Sequence, residues 1–186
     1  MSGEGPYPEL RAHLLEHSVK TGDFTLKSGR KSSWFIDSKQ TVCRPEAMVA
    51  VAEAVLSVVP PEATAIGGLT MGADPVAFVA AGGAATRGRP LKAFSVRKEA
   101  KNHGAGGRIA GALDRGDKVV VTEDTVTRGT SLLEAAHAVQ EAGAEVVLLV
   151  AVVDRGGTVE AMAADEGLAF RAVLTAPDLG FPFEGA

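Results

Sequence analysis

The sequence predicts an α/β fold: a single domain with a central parallel sheet flanked by helices, a small N-terminal hood and a flexible loop. Three observations predict it. Segments of strand length alternate with helical segments from about residue 63 onward. The strand segments are apolar at consecutive positions, which is typical of parallel strands buried on both faces. The chain has 186 residues, which suits one such domain with a sizeable core.

The first 59 residues contain the elements of the hood and the first core helix. Residues 8–20 have the pattern of a short amphipathic helix. Residues 24–26 and 33–37 are predicted to be two strands joined by the turn at 27–30. A helix is predicted over 44–59, because Pro45 stands at a first-turn position and Pro60 and Pro61 end the helix. The hood covers about residues 1–40 and the core about residues 41–175.

In the rest of the chain, apolar segments predict strands and the segments between them predict helices. The predicted strands are 63–69, 91–96, 118–122, 145–153 and 168–174. The predicted helices are 75–85, 132–142 and 158–166. The ligand is expected at the carboxyl ends of the strands, because open α/β sheets bind there.

One such strand end carries the most informative pattern in the chain. The apolar segment 119–121 leads into Glu123 and Asp124, then a Thr/Gly loop, and then a helix. Loop amides and a helix N-terminus bind phosphate, and hydroxyl groups add donors. The two acids would repel a phosphate, so their natural partners are neutral hydroxyls or a hydrated cation. The pattern predicts a site for a ribose 5-phosphate, the alternative being an ordinary strand-to-helix turn with an acidic cap.

Composition excludes several other classes of protein. The net charge is −4 and the isoelectric point is about 5.6, whereas nucleic-acid binding normally needs a basic surface. The single cysteine, Cys43, excludes an intrachain disulfide and fits a reducing cytoplasm. Apolar runs of membrane-spanning length and a secretory leader pattern are both missing from the sequence. We therefore expect no nucleic-acid or membrane partner. No Walker A motif occurs.

The acidic strand end resembles the PRPP-binding motif of type I phosphoribosyltransferases. The resemblance implies that Glu123 and Asp124 hold the ribose hydroxyls and that the loop holds the 5′-phosphate. The PRPP-binding residues implied in this stretch are Glu123, Asp124, Thr125, Val126, Thr127, Arg128, Gly129, Thr130 and Ser131.

A second stretch, residues 97–107, has the sequence R-K-E-A-K-N-H-G-A-G-G. Its cations and glycines suit a mobile lid over a polyanion, although such charge runs are usually solvated surface hairpins. The stretch resembles the catalytic loop of the orotate phosphoribosyltransferase family. That resemblance implies that Arg97, Lys98, Lys101 and His103 contact the diphosphate of PRPP, some of them across a homodimer interface. Lys101, Glu123 and Asp124 are the implied catalytic residues.

Two further segments resemble the same family. Residues 24–37 match a segment whose lysine and aromatic pair line the orotate site, which implies Lys27, Trp34 and Phe35, although an aromatic pair alone is more often plain core. Arg155 follows the strand 145–153, where a guanidinium can pair with a carboxylate. Thr127 completes the implied orotate contacts.

Three positions depart from the family pattern. Glu123 stands where Asp is commoner, and Trp34 stands where Phe is common. The loop at 70–74 lacks the aromatic–lysine pair that many relatives use for diphosphate, so we expect it to act through backbone amides.

The resemblance implies an enzyme, a pentosyltransferase that makes orotidine 5′-monophosphate from orotate and PRPP in de novo pyrimidine synthesis. It also implies Mg²⁺ carried mainly by PRPP, because Mg²⁺ prefers phosphate oxygens and water. One alternative is a phosphoribosyltransferase for another base, for which an arginine such as Arg155 has no purpose. The other alternative is a PRPP-sensing regulator on the same fold, which should carry a basic face or an extra domain.

Overall fold

The computed structural model describes residues 5–25, 29, 31–101 and 107–185, with only the backbone at Lys101. The strands are β1 (Val19–Thr25), β2 (Lys31–Ile36), β3 (Ala65–Leu69), β4 (Lys92–Lys101), β5 (Gly107–Gly111), β6 (Lys118–Val126), β7 (Glu145–Asp154) and β8 (Phe170–Thr175). The α-helices are α1 (Pro8–His13), α2 (Lys39–Val42), α3 (Pro45–Val58), α4 (Ala73–Ala85), α5 (Thr130–Glu141) and α6 (Val159–Asp165). A π-helical turn spans Leu14–Ser18, and a 3₁₀ turn spans Pro177–Leu179.

The central sheet has six strands in the order β5-β4-β3-β6-β7-β8. Within the part of the chain that the structure describes, four neighbouring pairs are parallel, and β5 runs antiparallel at one edge, against β4. The predicted α/β class with a central parallel sheet flanked by helices is confirmed. The antiparallel edge strand was not predicted.

The sheet is covered on both faces, which explains its continuous apolar strands. In β6, Val120 packs into one hydrophobic cluster, whereas Val119 and Val121 pack into the other. The first cluster includes α3 and α4 side chains, and the second includes α5 and α6 side chains. Alternate residues of one strand therefore face different helix layers, so both must be apolar.

The N-terminal segment packs onto the first of these clusters. Its β1–β2 hairpin forms a separate antiparallel sheet. In β2 the side chains alternate between buried and exposed, with Ser32, Trp34 and Ile36 buried and Phe35 exposed. Leu10, Trp34 and Ile36 belong to the same cluster as α3 and α4. The predicted helix at 8–20 is shorter than expected, because β1 begins at Val19.

Two boundaries near the predicted site differ from expectation. Strand β6 continues through both acids to Val126, because it stays paired with β7 as far as Val126 and Asp154. The segment expected to be a polar loop at 97–111 is a hairpin arm whose strands pair Val96 with Ile109 and Lys101 with Gly107. Residues 102–106, and His103 with them, lie outside the described residues, as does Lys27.

Candidate active site

Two adjacent buried carboxyl groups lie near the carboxyl end of the central strand β6. Glu123 is 7% exposed and Asp124 is 4% exposed. Ser38 Oγ donates to Asp124 Oδ2 at 2.5 Å, and Lys39 Nζ lies 2.7 Å from the same oxygen. The other oxygen, Oδ1, accepts the Thr125 amide at 2.7 Å. Asp124 is therefore held at both oxygens by the protein.

The pKa values of the two carboxyl groups are displaced in opposite directions. Burial, the charge of Asp124 and a hydrogen bond between the two side chains raise the pKa of Glu123 to about 8. Burial would also raise the pKa of Asp124, but hydrogen bonds from Lys39 and Ser38, with the Lys39 charge, outweigh it and lower that pKa. The pair therefore holds one proton near neutral pH, mainly on Glu123.

Lys39 was missed as a site residue. It begins α2, which follows the hood strand β2, and 44% of its side chain is exposed. Burial would lower the pKa of Lys39, but its hydrogen bond to Asp124 and the charge of that residue raise it. Sequence alone places Lys39 and Asp124 85 residues apart, so only the packing of the hood reveals the contact.

The loop between β3 and α4 packs directly against the acidic pair. A Cβ added at Gly72 would lie 2.2 Å from Glu123 Oε1 and 2.7 Å from Asp124 Oδ1. Only glycine fits this approach without displacing the carboxyl groups. Within the loop, the Thr70–Met71 peptide is cis, and Thr70 Oγ1 donates to Asp74 Oδ2 at 2.6 Å. The expected role of this loop in diphosphate binding stays a prediction.

The loop after β6 leads into α5, the helix whose N-terminus was predicted to bind phosphate. The helix starts at Thr130, two residues before the expected Leu132, and no side chain of the described residues caps it. Gly129 has a φ of 72°, in the left-handed region that favours glycine. The first amides of the helix therefore keep unpaired N–H donors that can bind an anion. The Thr125 amide is already used by Asp124.

The loop after β7 lies against the phosphate loop and carries Arg155. A Cβ added at Gly156 would lie 1.7 Å from the Thr127 carbonyl oxygen, so the two loops touch through their backbones. Asp154 Oδ1 accepts the amides of Gly156 and Gly157 at 2.9 and 3.0 Å. Arg155 is thus fixed beside Thr127 by neighbouring parallel strands, as expected from its position at the sheet edge.

The Arg155 side chain is nearly buried and already engaged. Its Nη2 donates to the Trp34 carbonyl at 2.9 Å, to Ser32 Oγ at 3.1 Å and to Glu184 Oε2. The guanidinium carbon lies 4.8 Å from the Trp34 ring centroid. No sequence motif identifies Glu184 as a site residue, since a single acid in a Pro- and Gly-containing tail has no characteristic spacing.

The aromatic pair of the hood divides into a buried and an exposed ring. Trp34 is fully buried and stacks on Phe181, with centroids 4.6 Å apart and ring planes 13° apart. Phe35 is 39% exposed. In this arrangement the Trp34 ring cannot stack on a ligand, because Phe181 and Arg155 cover it. Phe35 is the ring of the pair that a ligand can reach.

The cationic arm lies at the sheet edge formed by β4 and β5. Arg97 Nη1 donates to the Ile109 carbonyl at 3.1 Å, and Arg108 Nε donates to the Arg97 carbonyl at 2.8 Å. Arg108 also pairs with Glu134 of α5. Lys98 is exposed. Two arginines therefore stiffen the base of the arm.

The described residues hold no cluster of three or more potential metal ligands among His, Cys, Asp and Glu. Among the same residues, none of the helices has the length and apolar character needed to cross a membrane. The site combines two buried acids, the N-terminus of α5 and a shielded guanidinium at the ends of the neighbouring strands β6 and β7.

Comparisons with known proteins show the family to which the chain is similar. No protein-family model matches the chain. An orotate phosphoribosyltransferase from Nostoc sp. is 40% identical over 167 residues, which cover 89% of this chain and 81% of the relative. The crystal structure of Mycobacterium tuberculosis orotate phosphoribosyltransferase with inorganic phosphate aligns with a TM-score of 0.83 and 36% identity, over 94% of this chain and 98% of the other. The same enzyme in complex with PRPP aligns with a TM-score of 0.77 and 35% identity, over 94% and 99%.

The fold and the acidic strand end define a type I phosphoribosyltransferase. The extent and level of the sequence identity narrow this class further. The chain belongs to the orotate phosphoribosyltransferase family.

Proposed function

We propose that this protein transfers the phosphoribosyl group of PRPP to N1 of orotate, giving orotidine 5′-monophosphate and diphosphate in de novo pyrimidine synthesis. The observation that carries the proposal is the buried pair Glu123 and Asp124, followed directly by the uncapped N-terminus of α5. The acids suit ribose hydroxyls, and the helix N-terminus suits the 5′-phosphate. The protein needs no covalent nucleophile, because positioning and charge stabilisation can supply the rate.

The two acids have different roles in this proposal because their protonation differs. Glu123, with a pKa of about 8, carries a proton near pH 7 and, once substrate binds, would donate it to a ribose hydroxyl in place of its hydrogen bond with Asp124. Asp124 stays ionised and favours the positive charge that develops on the ribose as diphosphate leaves. Lys39, whose Nζ lies 2.7 Å from Asp124 Oδ2, favours the ionised form of Asp124. The 5′-phosphate contacts are assigned to Thr125, Val126, Thr127, Arg128, Gly129, Thr130 and Ser131.

The leaving diphosphate is assigned to the cationic arm. Arg97, Lys98, Lys101 and His103 would neutralise its charge. An arm that carries cations contributes most when it closes over the reacting groups, since exclusion of water strengthens each interaction.

The residues present fit Mg²⁺ that arrives on PRPP. Mg²⁺ keeps several waters and binds through one or two carboxylates plus phosphate oxygens. Here the carboxyl group of Glu123 is protonated near pH 7 and both Asp124 oxygens are already bonded to the protein, so phosphate oxygens of PRPP and water would supply most of the Mg²⁺ ligands. When bound, Mg²⁺ would offset the charge of the diphosphate.

The orotate site is assigned to the loop after β7 and to the hood. Arg155 would pair with the orotate carboxylate, next to Thr127. Phe35 would cover the pyrimidine ring, with Lys27 nearby in the hood sequence. The Trp34 ring would not contact the base but would hold the Arg155 guanidinium, which lies over it, in position.

The assembly and location are also proposals. We infer one phosphoribosyltransferase domain over residues 1–186, a homodimer in which the arm of one subunit reaches the PRPP of the other, and a cytoplasmic location. The mixed packing of hood and core side chains in one hydrophobic cluster supports the single domain. The acidic composition supports the absence of nucleic-acid partners.

The test is a spectrophotometric assay of orotate consumption with PRPP and Mg²⁺, run beside uracil and hypoxanthine. We expect orotate to be consumed, no use of the neutral bases, and no reaction when Mg²⁺ is omitted. Faster use of uracil or hypoxanthine would assign the chain to another base. PRPP binding without turnover of any base would favour the regulator.

A further inference from the structure

The C-terminal tail, residues 181–185, is folded back onto the loop that carries Arg155. The Glu184 amide donates to the Arg155 carbonyl at 2.9 Å, and the Gly185 amide donates to the Gly156 carbonyl at 3.0 Å. A Cβ added at Gly185 would lie 2.2 Å from the Gly156 carbonyl oxygen. The tail is therefore held by specific backbone contacts at the place where the acceptor base is proposed to bind.

The Glu184 carboxylate occupies the Arg155 guanidinium from this tail. It accepts from Arg155 Nη2 through Oε2 and from Ser32 Oγ through Oε1. Only 9% of the Arg155 side chain and 13% of the Glu184 side chain are exposed. Arg155 Nε is buried and has no partner among the described residues. The guanidinium is thus screened from solvent while part of its hydrogen-bonding capacity is unused.

The carboxylate of the acceptor base and the carboxylate of Glu184 are the same kind of ligand for the Arg155 guanidinium. A planar carboxylate binds a guanidinium through two parallel hydrogen bonds, and each two-donor edge of Arg155 includes Nη2. Because Nη2 already donates to Glu184, Trp34 and Ser32, a second carboxylate cannot gain both hydrogen bonds while Glu184 stays in place. A base that enters the pocket has to remove Glu184 before it pairs with Arg155.

We propose that Glu184 is an internal competitor of the acceptor carboxylate and thereby a specificity-determining residue. This rests on the proposed function, which assigns the orotate carboxylate to Arg155. An acidic base replaces the Glu184–Arg155 pair with an equivalent pair. A neutral base would leave Arg155 buried without a counter-charge, which is strongly unfavourable. A base that carries a carboxylate therefore displaces the tail from Arg155, whereas a neutral base does not.

The aromatic contacts indicate which part of the tail moves. Phe181 stacks on Trp34, which also lies under the Arg155 guanidinium. Displacing Glu184 requires only residues 183–185 to leave, because Phe181 precedes them and packs into the core cluster. Trp34 then remains as the platform for Arg155 in both states.

Hydrogen-exchange mass spectrometry on the wild-type protein tests the displacement directly. The probe is orotidine 5′-monophosphate, which carries the carboxylate, and the matched control is uridine 5′-monophosphate, which lacks it. We expect the tail amides of Glu184 and Gly185 to lose protection with the first nucleotide and to keep it with the second. Both nucleotides should protect residues 126–131, where the phosphate binds.

The outcomes separate the two proposals. If orotidine 5′-monophosphate protects residues 126–131 and the tail amides stay protected, the tail proposal is wrong and the proposed function stands. If that nucleotide gives no protection at 126–131, the proposed function fails and the tail proposal fails with it. Loss of tail protection with both nucleotides would also overturn the proposal, because displacement would not depend on the carboxylate.

A substitution tests the competition itself. Glu184→Gln removes the competing charge, and we expect the orotate KM to fall about tenfold, as for a competent state that is populated about one-tenth of the time. The PRPP KM and kcat should not change. The control is Glu160→Gln on α6, an exposed position with the same change of charge. An unchanged or higher orotate KM in Glu184→Gln would mean that Glu184 supports the pocket or has no part in it, and would overturn the competition.

Discussion

Glu123 and Asp124 are neighbours in sequence and both are buried, yet the pKa of Glu123 is raised to about 8 and that of Asp124 is lowered. The two groups differ in their hydrogen-bond donors. Lys39 and Ser38 both bond Asp124 Oδ2, whereas burial and the charge of Asp124 raise the pKa of Glu123 more than the Lys39 charge lowers it. If the two carboxyl groups had equivalent surroundings, each would carry the negative charge for half of the time. Here the hood side chains decide which acid is ionised.

The raised pKa of Glu123 predicts a loss of stability as the pH rises. Below its usual pKa of 4.5 the carboxyl group is protonated in both the folded and the unfolded state, so the free energy of unfolding does not change with pH on its account. Between 4.5 and about 8 the folded protein binds the proton more tightly, so the free energy of unfolding falls with pH, by on the order of a few kcal/mol. Glu123→Gln should remove this fall. Urea denaturation at pH 5 and pH 8 measures the free energy of unfolding at each pH. An equal fall between the two pH values in wild type and variant would contradict the prediction.

Lys39→Met should destabilise the protein through Asp124. The lost ion pair is half exposed on the lysine side, so we expect a cost of about 1 kcal/mol at pH 7. A lowered carboxyl pKa stabilises the fold above the usual value of 3.8, so the difference should persist to about pH 4 and shrink below it. Urea denaturation across this range is the measurement. Lys118→Met, at an exposed position, is the control, and an equal cost there would show a general charge effect.

Asp124→Asn should lower kcat more than it lowers PRPP affinity. The amide keeps the shape and some hydrogen bonding but removes the charge that favours a developing ribose cation. Steady-state kinetics with varied PRPP, beside a direct binding measurement, separates the two effects. A variant with wild-type kcat would exclude the electrostatic role and leave a structural one.

Arg155→Ala should weaken orotate use by roughly 2–3 kcal/mol, the range for a lost charge-assisted partner, with little change for PRPP. It should also destabilise the fold by about 3 kcal/mol, because it breaks a nearly buried ion pair by removing one member. The double variant Arg155→Ala/Glu184→Gln should regain stability without regaining orotate use. Kinetics and thermal unfolding check both parts, with exposed Arg171→Ala as control. Equal losses for both substrates would count against the assignment.

The parallel sheet could be predicted from the sequence, because apolar strands buried on both faces are typical of parallel sheets. The sequence was also sufficient to bring Arg155 beside Thr127, since neighbouring parallel strands end at one edge. It was insufficient for contacts between distant segments. Lys39 reaches Asp124 from the hood, and Glu184 reaches Arg155 from the tail, and neither contact has a local pattern. The β4–β5 arm was missed as paired strands because charged residues and glycines hide an edge strand.

The last prediction concerns sharing of the active site across the proposed homodimer. The described backbone of β4 runs to Lys101, at the far end of the arm from the central strands. A cation there contributes only when the arm is closed, so its removal should act mainly on the transition state. Lys101→Ala should cost on the order of a hundredfold in kcat, comparable to losing one preorganised donor. The fold should be undisturbed, which thermal unfolding checks.

Complementation tests the sharing directly. Lys101→Ala is mixed with Asp124→Ala, each nearly inactive alone. If the arm acts in trans, each mixed dimer regains one intact site. Activity should then recover toward roughly a quarter of wild type, because about half of the dimers are mixed and each has one good site of two. Native mass spectrometry verifies subunit exchange. If exchange is complete and activity stays at the parental level, Lys101 acts within its own subunit or has no role, and the shared site is wrong.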